Sequence, residues 1–186
     1  MYLKHELERY VPWNEQEEKD REIMLDLLAR EENLFTRENR TAHFTASAWV
    51  VSKDRQKVLM AYHNIFHSWA WLGGHADGEE DLLKVALKEV KEESDCDAVP
   101  LSREIYSIEI IHVAGHMRKG EYVSGHVHLN VTYLLEADEH QILHHREGEN
   151  TRVGWFPAEQ VYDVVEEPWV SEWIYRKLNS KLKEYV

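Results

Sequence analysis

The pair Gly73-Gly74, followed by the Gly- and Pro-free run Glu79 to Ser94, constrains this chain more than any other stretch. Adjacent glycines permit a backbone turn that side chains forbid, and the acidic residues after them favour a helix start. The run itself is rich in Leu, Ala, Lys and Glu, all strong helix formers. Leu83, Ala86, Leu87 and Val90 recur at i, i+3, i+4 and i+7, so one apolar stripe is expected to face a core. Glu89, Glu92 and Glu93 repeat the i, i+3, i+4 spacing on an adjoining face, which crowds three carboxylates into one patch.

Like charges at that spacing repel by roughly 0.2–0.5 kcal/mol per pair. A hard divalent cation such as Mg²⁺ or Mn²⁺ removes the conflict, because carboxylate oxygens suit it and it commonly bridges to substrate phosphates. The same glutamates also fit a solvated acidic helix face partnered by Lys84, Lys88 and Lys91, and on their own they leave both readings open.

The wider spacing favours the cation. Gly74, five residues, Glu80, seven residues and then Lys88-Glu89-Val90-Lys91-Glu92-Glu93 resembles the Nudix box of the Nudix hydrolases. Two positions depart from that pattern. Lys88 stands where the family has arginine, and lysine lacks the planar fork that would grip Glu80. Asp95 stands where a glycine ends the helix, with Cys96 at the last apolar position. The resemblance implies a Nudix-type α/β/α sandwich with a mixed β-sheet and a box helix carrying the metal face. It spans about residues 42–165 of what reads as one domain over 1–186, with 1–41 as a helical N-terminal extension and 166–186 as a C-terminal helix.

The remaining pattern is compatible. Glu15 to Arg30 reads as an amphipathic helix, with a shorter one before Pro12. His43 to Val51 and Lys57 to His63 read as strands joined by the polar turn Lys53 to Gln56, and Arg103 to His112 as a third strand. His116 to Gly125 looks like loop. In the next strand Val127, Leu129, Val131, Tyr133 and Leu135 alternate with His126, His128, Asn130 and Thr132, giving one apolar and one polar face. Val153 to Pro157 reads as a last strand, Pro157 to Val165 as a short helix, and Pro168 to Tyr185 as a longer one whose stripe is Val170, Trp173, Ile174, Leu178 and Leu182.

Outside the box, His75 is a candidate to hydrogen-bond a phosphate or a metal-bound water. A His-x-His pair such as His126 and His128 can bind zinc. No second pair of ligands stands at a recognisable spacing, so His128 is assigned instead to a polar pocket wall that touches substrate, with Gly73, Gly74 and His75. In the loop Arg146 to Asn150, the resemblance implies one further glutamate as ligand or base: Glu149, with Glu147 in reserve.

Composition excludes several classes. A net charge of -13 argues against a nucleic-acid backbone or an anionic membrane as partner, since phosphate binding rests on Lys and Arg. No apolar run approaches the roughly 20 residues that span a bilayer, and the first residues lack the apolar segment of a secretory signal. The single cysteine, Cys96, rules out an internal disulfide and fits a reducing, cytoplasmic setting.

The resemblance implies Mg²⁺- or Mn²⁺-dependent hydrolysis of a nucleoside diphosphate linked to another moiety. Glu89, Glu92 and Glu93 would hold the metal, Glu93 or Glu149 would act as base, and Glu80 and Lys88 would be structural. A small-molecule nucleotide or other diphosphate is then the partner, and helical additions leave room for a homodimer. A ligand-binding or regulatory module is the alternative, motivated by Lys88 and Asp95. An isomerase of the isopentenyl diphosphate type ranks below both, because His67 to Trp71 offers no thiol ahead of the box. The proline and tyrosine that mark ADP-ribose and dinucleoside polyphosphate enzymes in the family are missing from Ile111-His112-Val113-Ala114, so the substrate stays open.

Overall fold

The computed structural model describes residues 2–64, 67–118, 120–148 and 150–185. At its centre β1 (Ala42–Ser52) and β9 (His126–Ala137) run parallel, in register from Ala42↔Val127 to Ser52↔Ala137. Every other pairing is antiparallel. The sheet continues outward through β2 (Lys57–His63) and β10 (Asn150–Pro157) on one side and β5 (Ala98–Pro100) on the other. Three more strands join it: β3 (Ser68–Ala70) on β2, β4 (Leu72–His75) on β1, and β6 (Ser107–Val113) on β9. Helices α1 (Tyr2–Arg9), α2 (Glu15–Arg30) and α3 (Leu82–Ser94) surround one part of the sheet. The chain ends in a 3-10 turn (Ala158–Asp163), α4 (Pro168–Val170), a π turn (Ser171–Tyr175) and α5 (Arg176–Leu182). The expected α/β sandwich with helical additions at both ends is present, and among the described residues no helix is long and apolar enough to cross a membrane.

Alternation along β1 and β9 gives the sheet two differently furnished faces. Phe44, Ala46, Ala48 and Val50 from β1 and Leu129, Val131, Tyr133 and Leu135 from β9 join the Leu83, Ala86 and Val90 stripe of α3 in one core. On the opposite face, Trp49, Val51, Val58 and Met60 pack with Ile174, Tyr175, Leu178 and Leu182.

Several boundaries differ from expectation for local reasons. Helix α3 begins at Leu82 rather than Glu79, because the Asp81 side chain accepts from the Lys84 N–H at 3.2 Å and caps it. At its other end Asp95 takes the left-handed conformation (φ 57°, ψ 11°) that the glycine of the pattern would supply. Lys91 holds it there, with Nζ 2.8 Å from the Asp95 carboxylate and 2.9 Å from its carbonyl. The stretch 116–125, expected as loop, contains a hairpin of β7 (His116–Arg118) and β8 (Glu121–Val123), with Gly120 at φ +86°. Trp173, expected on the buried stripe, is 50% exposed. The wider π turn rotates it outward and keeps Ile174, Leu178 and Leu182 inward.

The polar face of β9 is buried rather than wet. Asn130 Oδ1 accepts from Thr45 Oγ1 (3.0 Å) and Ser47 Oγ (2.8 Å), and Asn130 Nδ2 donates to Glu109 Oε2 (2.9 Å). Lys177 on α5 lies 3.0 Å from Glu109 and 3.2 Å from Glu17 on α2, and Lys181 lies 3.0 Å from Glu17. Two carboxylates and two ammonium groups thus neutralise one another where an isolated buried charge would be prohibitive.

Burial raises the pKa of the Glu17 carboxyl, but Lys177, Lys181, the Tyr10 hydroxyl (2.7 Å) and the Trp13 N–H (2.7 Å) overcome this and pull it down to about 2. A glutamate in the unfolded chain titrates near 4.5. Its contribution to stability is therefore complete above that value and is lost as pH falls toward 2. Urea unfolding between pH 7 and pH 2.5 is expected to show this loss. Glu17→Gln should destabilise the protein by roughly 3–5 kcal/mol at pH 7, because Lys181 stays buried without a carboxylate and Lys177 keeps only Glu109, and its stability should depend less steeply on pH in the acid range.

Candidate active site

Strand β4 lies antiparallel to β1, with Gly73 opposite Ser47, Gly74 opposite Ala46 and His75 opposite Thr45. Directly opposed residues share a face. Gly74 therefore points to the α3 side with Ala46, while Gly73 and His75 point the other way. A Cβ at Gly74 would stand 2.5–2.8 Å from the carboxyl atoms of Glu89. Glycine here leaves the room that the carboxylate occupies against the strand. At Gly73 a Cβ would meet the Ala46 carbonyl oxygen at 2.5 Å and the Ser47 Cα at 2.7 Å, so here the strand backbones themselves leave no room.

The box carboxylates gather along this edge. Gly73 N–H donates to Glu93 Oε2 at 3.0 Å, fixing the second buried glutamate to the same strand. Glu89 is 8% exposed and Glu93 7% exposed, whereas Glu92 sits at the rim. Arg146 Nη1 binds Glu92 Oε2 at 2.9 Å, and Lys88 Nζ lies 3.5 Å from Glu89 and 3.6 Å from Glu92. Burial pushes the Glu89 carboxyl above its ordinary range, Lys88 opposes that, and the neighbouring Glu92 adds to it. Desolvated carboxylates that disfavour their own charge are relieved by a cation between them.

The structure brings most of the expected residues together. Glu89, Glu92 and Glu93 lie together on α3, with Glu89 and Glu93 against Gly74 and Gly73. Glu80 does not join them: it is exposed, and among the described residues no ion pair links it to Lys88, which turns to the glutamates instead. The expectation for Glu149 falls on a residue outside the described set, and Glu147 is exposed. His75 and His128 meet, but on the sheet face opposite α3, in a group that includes His43.

Sequence reasoning missed Asn150 and Arg146. Asn150 is buried, donates to the Glu93 carbonyl at 3.0 Å and accepts from the Arg146 N–H at 2.9 Å, and so ties the 146–150 loop to the end of α3. The loop had been singled out for its acids. Its amide was the available signal, since buried Asn is uncommon unless satisfied on several sides.

The oxygen donors of Glu89, Glu92 and Glu93 fit Mg²⁺ or Mn²⁺. Two are buried beside a backbone edge and the third stands at the solvent rim, which leaves an approach for a ligand.

A mixed sheet packed with helices carries a glycine pair on β4, beside β1, and a carboxylate helix after it, so the candidate site is a strand–loop–helix unit. The NUDIX domain family model matches residues 41–177, and the chain belongs to the Nudix family. Among curated proteins none matches it in sequence. Similar solved structures include a hydrolase of the NUDIX family from Clostridium perfringens, 20% identical with a TM-score of 0.55 over 77% of this chain and 98% of that one. The NUDIX domain of Shewanella oneidensis NrtR, complexed with ADP ribose, is 18% identical with a TM-score of 0.53 over 86% and 96%. An Ap4A hydrolase from C. elegans is 17% identical with a TM-score of 0.50 over 76% and 96%. At such identities the likeness is one of fold.

The two glycines are expected to respond differently to a methyl group. Gly73→Ala forces β4 from β1 and should cost about 1–3 kcal/mol in chemical denaturation. Gly74→Ala moves only the end of a flexible side chain, so stability should change by less than about 1 kcal/mol, while Mn²⁺ affinity measured by calorimetry falls at least tenfold.

Proposed function

We propose that this chain is a divalent-metal-dependent Nudix hydrolase that cleaves the phosphoanhydride of a nucleoside diphosphate linked to another moiety. The observation that carries the reading is the seating of Glu89 and Glu93 against Gly73-Gly74, buried and one helical turn apart on α3. Glu89, Glu92 and Glu93 would hold Mg²⁺ or Mn²⁺. The bound ion supplies charge neutralisation at the diphosphate and a lowered pKa for attacking water.

The chain's own groups do the rest. Glu93, fixed by the Gly73 N–H, accepts the proton of the attacking water as its oxygen bonds to phosphorus and the bridging oxygen leaves with the second product. Glu149 is the other base we propose, from its place in the family pattern. Glu92 gives up part of its pairing with Lys88 and Arg146 when the site fills. Asn150 keeps that loop in place. The ADP ribose bound by the Shewanella domain and the Ap4A hydrolysed by the C. elegans protein belong to the class of nucleoside diphosphate compounds we assign here. A reducing, cytoplasmic setting suits the one cysteine. Cys96 is buried, and burial pushes its thiol up to about 11, which speaks against a cysteine-dependent isomerase.

A second reading rests on Lys88. With Lys88 and Arg146 already placed against the carboxylates, the site carries its own cations and suits a module that binds nucleotides without turnover. Release of phosphorylated products from a panel of nucleoside diphosphate compounds with Mg²⁺ or Mn²⁺ separates the two. Turnover is expected, and Glu93→Gln should lower kcat by about 10²–10⁴-fold while the melting temperature holds. Full activity in that variant would overturn the role of Glu93. Binding without release from any compound would favour the module.

A further inference from the structure

On the face of the sheet turned away from α3, the strand registers bring together histidines that are far apart in sequence. His43 opens β1 and pairs with His128 on β9, and His75 ends β4 one register step from them, opposite Thr45. One ring nitrogen from each of His43, His75 and His128 lies within 4.8 Å of the others. Their ring centroids are 5.1 Å (His43–His75), 5.1 Å (His43–His128) and 4.8 Å (His75–His128) apart. His126 completes the group, with its Nε2 3.2 Å from His128 Nε2. We propose that His43, His75 and His128 form a transition-metal site for Zn²⁺, separate from the box carboxylates, with His126 as its outer partner.

The hydrogen bonds prepare these rings as ligands. The Asn39 carbonyl lies 3.0 Å from His43 Nδ1. A carbonyl can only accept, so Nδ1 carries the proton and Nε2 the lone pair. That Nε2 belongs to a residue only 5% exposed and has no hydrogen-bond partner among the described residues. A buried nitrogen lone pair with nothing to bind is costly, and a metal ion is the partner that removes the cost. An Nδ1–H donated to a backbone carbonyl is also the usual outer contact of a metal-bound histidine, since it fixes tautomer and ring orientation. His126 repeats the arrangement: the Ser124 carbonyl lies 2.9 Å from its Nδ1. Its Nε2 therefore holds a lone pair, and the contact with His128 needs the proton on His128. His126 thereby orients the ring beside it.

The surroundings select the ion. Imidazole nitrogens suit Zn²⁺ and its neighbours in the series and not Mg²⁺. Ligand nitrogens around a tetrahedral ion stand about 3.3 Å apart given Zn–N bonds near 2.0–2.1 Å, so imidazole rotation of the order of 1 Å closes the present spacing. Three histidines leave a fourth position for water or an anionic ligand. The box site faces α3 through Gly74, and this one lies across the sheet from it.

The test uses the full chain without an affinity tag, stripped of metal. Calorimetry with Zn²⁺, and the ligand-field absorption of Co²⁺ as a spectroscopic stand-in, are measured on the wild type, on His128→Gln, on His75→Asn and on the double variant Glu89→Gln/Glu93→Gln. One equivalent of tightly bound Zn²⁺ with a low-symmetry Co²⁺ spectrum is expected in the wild type and in the glutamate variant. Both histidine variants should bind at least a hundredfold more weakly. His75→Asn alters a half-buried position, and circular dichroism identifies a folded variant, so the comparison holds even if His128→Gln fails to fold. No Zn²⁺ uptake by the wild type would overturn the proposal. So would uptake of undiminished affinity in a folded histidine variant, or loss of the tight site in the glutamate variant, which would assign the ion to the box.

Discussion

The parallel pairing of β1 with β9 is the constraint on which the rest of the structure depends. Parallel neighbours cannot be joined by a tight turn, so the chain between them has to leave the sheet and return. That excursion holds β2 to β8 and α3, and the other strands that pair with β1 and β9 are placed by it. Because side chains alternate strictly, a one-residue slip in the Ala42↔Val127 register would exchange the faces. With β9 slipped, Asn130 and Thr132 would enter the apolar core beside α3, and Leu129 and Val131 would meet Glu109 and Lys177. Each mismatch buries a polar group without a partner, at about 1–3 kcal/mol apiece. The register is thus enforced from both sides at once.

The site inherits its precision from this arrangement. Strand β4 can approach β1 as closely as it does only because Gly73 has no side chain, and Glu89 can lie on β4 only because Gly74 has none. The two glycines do different work: one sets the distance between strands, the other the distance between strand and helix. The N–H of Gly73 then binds Glu93, so the same residue that allows strand contact also positions a carboxylate. Asp81 and Asp95 determine where α3 starts and stops, which sets the height of Glu89 and Glu93 against the strand.

Local chemistry was legible in the sequence wherever it is written in neighbouring residues. The box helix, its apolar stripe, the carboxylate patch and the alternation of β9 all follow from periods of 3.6 and 2. The left-handed Asp95 was visible as a departure from a glycine, though its rescue by Lys91 was not. What escaped depends on partners distant in the chain. The polar face of β9 reads simply as polar until β6 sets Glu109 against Asn130 and Thr132 and α5 brings Lys177 to Glu109. His43 carries no signal of its own: a lone histidine at a strand start is ordinary, and only the parallel register sets it beside His128. Lys88 was expected to lack the forked grip that arginine would have on Glu80, but that its point charge would sit instead between Glu89 and Glu92 was not legible.

A sheet with hard oxygen donors on one side and neutral nitrogen donors on the other has a chemical consequence. Zn²⁺ binds most donor sets more tightly than Mg²⁺, so a carboxylate site alone cannot refuse it by affinity. Selection then rests on supply and on competing ligands. Neutral imidazoles whose tautomers are already fixed by Asn39 and His126 lose little freedom on binding, whereas the carboxylates must first part from Lys88 and Arg146. On the assignments proposed, zinc would be drawn to the histidines and magnesium to the glutamates, because nitrogen lone pairs offer magnesium no advantage over water. The same alternation of side chains that keeps the core dry also keeps the two kinds of donor from sharing one ion.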